Sequence, residues 1–511
     1  MIARLFSMGL YGLEAFTVEV EADLAKGVPC FDIVGLPGTA VKESRERVRS
    51  ALKNCGFAYP TGRITMNLAP ADKKKDGPLY DLPLLMALLK ATGQLQAETD
   101  DSVFIGELSL SGEIRPVLGA LPMAIAARKA GFRRLFVPAA NAKEAAVVEG
   151  IEIYPVSGVR ELVDFLRGRG QLPTATFSPT QGDDTAEALL DFADVRGQLE
   201  AKRALEIAAS GGHNVLLIGP PGSGKSMLAK RLPSILPKMT MEEMLETTEI
   251  HSVAGTIPHG GTLIRRRPFR SPHHSVSAAG LSGGGSIPRP GEISLAHNGV
   301  LFLDELPEFT RPAMESLRQP LEDGVVSISR VSGTITYPCS FMLVAAMNPC
   351  PCGYFGHPTR ACTCSANAVN HYLGRISGPL LDRLDLHVEV PPISFDEFTS
   401  REKGEPSAAI RERVNRAREI QNQRFAGTGI SCNARIPPAM LHEVCIAPPQ
   451  TLELLRTAFE KLGLSARAFD RVLKVSRTIA DLDGSREIQP RHAAEAVQYR
   501  SLDRRYWDRE L

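Results

Sequence analysis

Apolar residues recur along this 511-residue chain with two distinct periods. Short unbroken runs at Val215–Ile218, Val300–Leu303, 341–347 and 386–390 have the length of strands buried on both faces. Helical spacing appears over 201–209, 408–423 and Pro449–Leu462. Alternation over 325–338, broken by Gly333, predicts a β-hairpin with Arg330 near its tip. Residues 1–170 read as one domain of short strands and helices, punctuated by turns such as Gly35-Leu36-Pro37-Gly38 and Ser111-Gly112. Residues 171–190, rich in Pro, Thr, Ser, Gly and Asp, have the composition of a linker. A module of alternating strands and helices then spans 191–392, and 393–511 is predicted to be a small helical lid.

The length fits about three domains. A net charge of +1 excludes a general electrostatic attraction to nucleic acid, so any such contact must come from local patches. The nine cysteines form no secreted disulfide framework, and the first residues, Met1-Ile2-Ala3-Arg4-Leu5-Phe6-Ser7, lack an apolar signal core. No run approaches the roughly 18 apolar residues of a membrane span. The expectation is a cytoplasmic protein with reduced thiols and no membrane partner.

Chemistry enters at Gly219-Pro220-Pro221-Gly222-Ser223-Gly224-Lys225-Ser226, set between a buried strand and a helical pattern. Glycines there let backbone N–H groups close around phosphate oxygens; Lys225 can neutralise β/γ charge, and Ser226 can offer an oxygen to Mg²⁺. This is a phosphate-binding loop for a nucleoside triphosphate. The strand Val300–Leu303 ends in Asp304 and Glu305, which suit a Mg²⁺ ligand and a group that polarises the attacking water. The strand over 341–347 ends in Asn348, an amide able to orient that water, and Val195 and Gln198 lie where an adenine pocket would form.

The phosphate loop, the Asp-Glu strand, Asn348, Leu380-Leu381-Asp382-Arg383 and Ser465-Ala466-Arg467 together resemble an AAA+ ATPase of the branch containing magnesium-chelatase ATPase subunits and MCM helicases. More closely, the opening residues, the phrase 290–299 (PGEISLAHNG) and Asn348-Pro349-Cys350-Pro351-Cys352-Gly353 resemble the YifB/ComM family over essentially the whole chain. The resemblance implies a homo-hexameric ATP- and Mg²⁺-dependent motor, with a ComM-type role as a DNA helicase in branch migration during natural transformation and homologous recombination. It implies Asn348 as sensor 1, Arg383 as an arginine finger acting on a neighbouring subunit, with Arg375 as its rival, and Arg467 as sensor 2. The alternatives are a chelatase-type ATPase that remodels a protein partner and a nucleotide-gated assembly scaffold.

Between Ser226 and Asp304 lie 77 residues, enough for an insertion. Its Arg265, Arg266, Arg267 and Arg270, with Phe269, His273 and His274, suit single-stranded or branched DNA, through phosphate contacts and base stacking. In the resembling helicases a hairpin enters the central pore, which makes Arg330 a second DNA candidate. Cys350, Cys352, Cys362 and Cys364 fall within fifteen residues and can supply four thiolates to a structural Zn²⁺, although C-x-C is tighter than the usual spacing. Recombination proteins are further possible partners.

Lys75-Asp76-Gly77-Pro78, the run 82–89 and the stretch 106–114 resemble a Lon protease domain. A Lon-type peptidase has serine just after D-G-P and a lysine in a later helix; here Leu79 follows Pro78, and no lysine lies between Arg115 and Arg128. Without that hydroxyl and amine there is no Ser-Lys pair. The fold class expected is therefore α/β: an N-terminal Lon-protease-like α/β domain without its dyad, an AAA+ P-loop NTPase core and a C-terminal helical lid. The basic run Lys73-Lys74-Lys75 suits either a DNA platform or a solvated face.

Overall fold

The computed structural model describes residues 2–177, 190–257, 261–285, 288–330, 333–393, 404–502 and 506–507. Most of the linker expected at 171–190 lies outside them. The chain divides into two compact units: Met1–Asp184 with Met241–Arg265 and Val331–Tyr337, and Thr185–Thr240 with Arg266–Arg330 and Pro338–Leu511.

The first unit is built on a seven-stranded sheet in the order Cys30–Val34, Arg63–Ala69, Glu14–Ala25, Ile2–Tyr11, Ser102–Phe104, Arg134–Pro138, Glu152–Val156. Alternation in the long antiparallel strands aligns rows of buried side chains across the sheet: Leu5 lies opposite Val20, which lies opposite Leu68, and Ala3, Ala22 and Met66 form the next row. The helix Asp81–Ala91 is buried at every position except Lys90, so its apolar run fills the core instead of making a stripe. Its one buried charge, Asp81, accepts from Arg47 Nε at 2.6 Å, from Arg47 Nη2 at 3.0 Å and from the backbone N–H of Leu108 at 3.1 Å. Leu79 is buried, as an apolar side chain in place of a nucleophile would be. Lys75 departs from the expected basic run: it is fully buried, donates to the carbonyl of Pro70, and burial pulls its pKa down. It therefore offers no charge to DNA.

The helix Met241–Ala254, placed by the sequence inside the nucleotide module, packs instead in the first unit. Gly119 N–H donates to the Ser252 carbonyl at 3.2 Å, Ser252 Oγ donates to Glu144, and Leu245 and Leu263 lie against the core of that unit.

The second unit centres on a five-stranded, wholly parallel sheet ordered Phe269–Arg270, Val300–Leu303, Met342–Met347, Val215–Ile218, Leu386–Glu389. Three of these strands, Val215–Ile218, Val300–Leu303 and Met342–Met347, are buried throughout, consistent with helices on both faces. Helices Leu199–Gly211, Ser407–Arg424 and Ala466–Leu482 pack together, so the predicted lid shares a compact unit with the sheet. A buried polar cluster ties helix to strand: Asp385 accepts from Asn214 N–H at 3.0 Å, lies 3.3 Å from His213 Nδ1 and is bonded by Arg471. Burial pushes the Asp385 carboxyl up, but Arg471 and His213 outweigh it and hold it well below the usual range.

Candidate nucleotide site

Parallel strands carry their carboxyl ends to one edge, and the strand order sets the phosphate loop next to Asn348, with Asp304 and Glu305 one strand further. Gly222 and Gly224 adopt φ of 78° and 92°, a left-handed turn that side chains resist, and the helix Lys225–Arg231 starts directly after it. Lys225 is buried at 8% exposure. Its ammonium donates to the carbonyls of Gly219 (2.7 Å) and Pro220 (2.9 Å) and to Asn348 Oδ1 (3.2 Å), all uncharged acceptors. Burial therefore lowers its pKa to about 8, with Asp304 and Glu305 opposing the shift. Ser226 Oγ donates to Asp304 Oδ2 at 2.5 Å, bringing the two oxygen groups expected at Mg²⁺ together. The buried Ser223 Oγ has no hydrogen-bond partner among the described residues. A loop of this kind, with a lysine held by neutral carbonyls and an unmatched buried hydroxyl, fits a polyphosphate with its divalent cation.

Glu305 itself has φ of 54°, and its N–H donates to Asp304 Oδ1 at 3.0 Å. Its Oε2 lies 3.2 Å from His274 Nδ1, and His274 packs against His273 with ring centroids 4.0 Å apart and planes tilted by 36°. The sequence assigns this histidine pair to DNA; the structure places His274 on the Glu305 carboxylate. The reason is the short strand Phe269–Arg270, which joins the sheet beside Val300–Leu303 and carries the following turn to the same edge.

Gln198 adopts a left-handed backbone (φ 55°); its Nε2 donates to the Pro391 carbonyl at 2.7 Å and the Ser223 carbonyl at 3.4 Å, which ties the expected adenine side to the phosphate loop. Val195 is fully buried, and its carbonyl accepts from Lys202. Arg383 is 4% exposed: it pairs with Glu322 and donates to the Pro379 carbonyl. Arg375 is more exposed, with Nη1 3.0 Å from Glu308 Oε2 and 3.2 Å from the Pro307 carbonyl, just after Glu305. Arg467 is exposed in the first turn of Ala466–Leu482, whose cap is the Ser465 hydroxyl.

The arginines assigned to DNA separate. Arg270 makes a two-pronged pair with Glu292, both contacts 2.7 Å, and Arg267 donates to the carbonyls of Pro237 and Asn298, each at 2.7 Å. These two therefore serve the fold of the second unit, a correction to the DNA expectation that follows from their half-buried setting. Arg265 falls in the first unit and Arg266, exposed, in the second. Arg330 is exposed at the end of Val325–Arg330, and residues 331–332 beyond it lie outside the described set.

The four cysteines converge. Sγ–Sγ separations are 3.4 Å (Cys350–Cys352), 3.7 Å (Cys350–Cys362) and 3.5 Å (Cys352–Cys362), and all four sulfurs lie within 4.8 Å of one another. A disulfide would need about 2.05 Å, whereas a tetrahedral site with Zn–S near 2.3 Å places its sulfurs about 3.8 Å apart. Cys352 N–H donates to Cys364 Sγ at 3.4 Å. Burial opposes ionisation of Cys352, but backbone N–H groups of Tyr354 and Thr363 outweigh it and bring its thiol down to about 5.

This sheet, its loop and the residues at its strand ends define a magnesium-chelatase-like AAA+ ATPase module with a helical C-terminal region. Residues 191–398 match the family model "Magnesium chelatase, subunit ChlI", 20–141 match "Subunit ChlI of Mg-chelatase", and 404–500 match "Magnesium chelatase, subunit ChlI C-terminal". The chain is 45% identical over 508 residues to competence protein ComM of Haemophilus influenzae, covering 98% of each, and 45% identical over 497 residues to YifB of Escherichia coli, covering 96% of each. It belongs to the YifB/ComM family. A more distant relative, the magnesium-chelatase 67 kDa subunit of Chlorobaculum parvum, is 25% identical over 55% of this chain and 38% of its own. Among the described residues no helix is long and apolar enough to cross a membrane.

Proposed function

We propose that this protein is an ATP-driven DNA motor that works as a homo-hexameric ring, a helicase promoting branch migration in recombination and transformation. The observation that carries the reading is the convergence of Lys225, Ser226, Asp304, Glu305 and Asn348 at one sheet edge, in a chain similar over its length to a competence protein. When bound, Mg²⁺-ATP supplies the phosphoryl group to be transferred and the cation that balances its charge. Lys225 would turn from its carbonyl cage to the phosphates, Ser226 and Asp304 would hold the cation, and Glu305 Oε2 would take the proton of the attacking water. Asn348 Oδ1 orients that water, and an arginine from the adjacent subunit, Arg383 or its rival Arg375, meets the charge that develops.

Cys350, Cys352, Cys362 and Cys364 would hold a structural Zn²⁺, a reading supported by the sulfur spacing and the N–H donated to Cys364. DNA contact falls to Arg265, Arg266 and Arg330. The test is ATP hydrolysis with and without single-stranded and four-way DNA: stimulation by DNA supports the motor. No stimulation, with no DNA binding in the presence of an ATP analogue, favours a protein-remodelling ATPase.

A further inference from the structure

The cysteine cluster lies on the same chain path as the nucleotide site. The strand Met342–Met347 delivers Asn348, whose Oδ1 holds the Lys225 ammonium; Pro349 and Cys350 follow at once, and Cys350 is fully buried. The turn after it closes with Gly353 N–H donating to the Cys350 carbonyl at 3.0 Å. Gly353 then lies flat against Pro221 of the phosphate loop: a Cβ built on it would sit 2.4 Å from Pro221 Cδ and 2.7 Å from Cγ. So close an approach leaves no room for a side chain, and Gly353 has φ of 83°, which glycine alone takes readily. One covalent turn therefore touches the nucleotide machinery twice, through Asn348 upstream and Pro221 downstream. That turn is anchored by Cys350 and Cys352 on one side, and its other anchors, Cys362 and Cys364, come from ten or more residues away. Without a shared ligand, four thiols hold such a loop by weak contacts only.

We propose that the metal bound by Cys350, Cys352, Cys362 and Cys364 braces the phosphate loop, so that metal occupancy and nucleotide affinity are thermodynamically linked. The inference rests on the four-thiolate reading of the cluster. A metal that fixes the turn fixes Pro221 and the Asn348 amide in their nucleotide-ready positions; its loss lets both relax, and nucleotide must then reorder them. Linkage requires reciprocity: bound nucleotide raises the affinity for the metal by the same factor through which metal raises the affinity for nucleotide.

The full-length protein carries the test, with metal content measured by mass spectrometry and affinity by titration of a fluorescent non-hydrolysable ATP analogue in excess Mg²⁺. The expectation is one zinc per chain; chelation weakens analogue binding at least about fivefold, and added Zn²⁺ restores it. Gly353→Ala keeps every sulfur but pushes on Pro221, so it retains zinc while losing affinity by a comparable factor. Cys362→Ser loses both together. Absence of zinc after loading overturns the metal reading and the brace with it. If zinc is present and its removal from a protein that stays folded leaves the analogue Kd within twofold, the brace fails while the metal reading stands. A folded Gly353→Ala protein with unchanged Kd overturns it equally; should that variant not fold, the chelation result decides.

Discussion

Lys225 makes nucleotide affinity depend on pH in a way set by its cage. In the free protein the ammonium faces two carbonyls and an amide, and burial lowers its pKa from 10.5 to about 8. A polyphosphate brings several negative charges to the same nitrogen and returns it to the protonated form. Below about pH 8 the lysine is already charged and affinity is flat. Above it, binding must take up one proton, so the association constant falls about tenfold per pH unit until about pH 10.5. The full span is about 2.5 decades, roughly 3 kcal/mol. Folding carries the opposite sign: the buried ammonium penalises the native state fully below about pH 8, and the penalty fades as pH rises toward 10.5. The assay is titration of an ATP analogue from pH 7 to 10 at constant ionic strength, with circular dichroism to show that the fold persists. A Kd unchanged between pH 8 and 9.5 in a folded protein would refute the argument, because Lys225 would then be staying charged in the free protein or contributing no charge to binding.

Replacing Glu305 by Gln should leave nucleotide affinity intact and lower kcat at least about 10²-fold, since only the proton acceptor is lost; near-normal turnover would remove it from that role. His274→Ala should lower kcat about fivefold with Kd unchanged, the worth of about 1 kcal/mol for one hydrogen bond to Glu305, and a change in Kd alone would contradict the contact. Mixed rings of Arg383→Ala and Lys225→Ala subunits should recover part of the ATPase that neither has alone, because one interface then pairs an intact finger with an intact loop; mixed rings without recovery would point to Arg375. Neutralising Arg265 and Arg266 should reduce the log-log salt slope of DNA binding by about 0.7 to 0.9 per lost contact. Arg270→Ala should instead lower thermal stability, by about 1–2 kcal/mol after allowing for the half-exposed pair, with the salt slope unaltered.

What could be read in the sequence was whatever depends on local pattern. Strands buried on both faces announce themselves as unbroken apolar runs, and the phosphate loop fixes its own conformation through glycines, so both were legible, as were the helices near 408–423 and at Pro449–Leu462. The helix Met241–Ala254 was not. The side chains it buries include Thr247, Thr248, His251 and Ser252, polar groups that give no apolar stripe and announce no docking face. Charge misled for a related reason. Arg267 and Arg270 look alike in a basic run, and only the fold brings Glu292 and the carbonyls of Pro237 and Asn298 to them. Lys75 loses its charge to the surface by the same logic, through a carbonyl five residues away.

Arg383 poses the sharper case. As a residue type in the right motif it fits a finger, yet in the protomer its guanidinium is buried, paired with Glu322, and its Nε finds no partner among the described residues. A buried guanidinium held by one carboxylate and one backbone carbonyl, with its Nε unmatched, is costly to keep, by about 1–3 kcal/mol for the orphaned donor. That imbalance favours a change of partner wherever a more negative group is offered. Glu322 also lies in the field of Arg467, so releasing Arg383 would leave the carboxylate a second cation. Exchange of Glu322 from one arginine to the other would free the Arg383 guanidinium without stranding a charge in either position. Sequence spacing could not have suggested it, because Glu322, Arg383 and Arg467 come from three separate segments that only the folded unit brings into register.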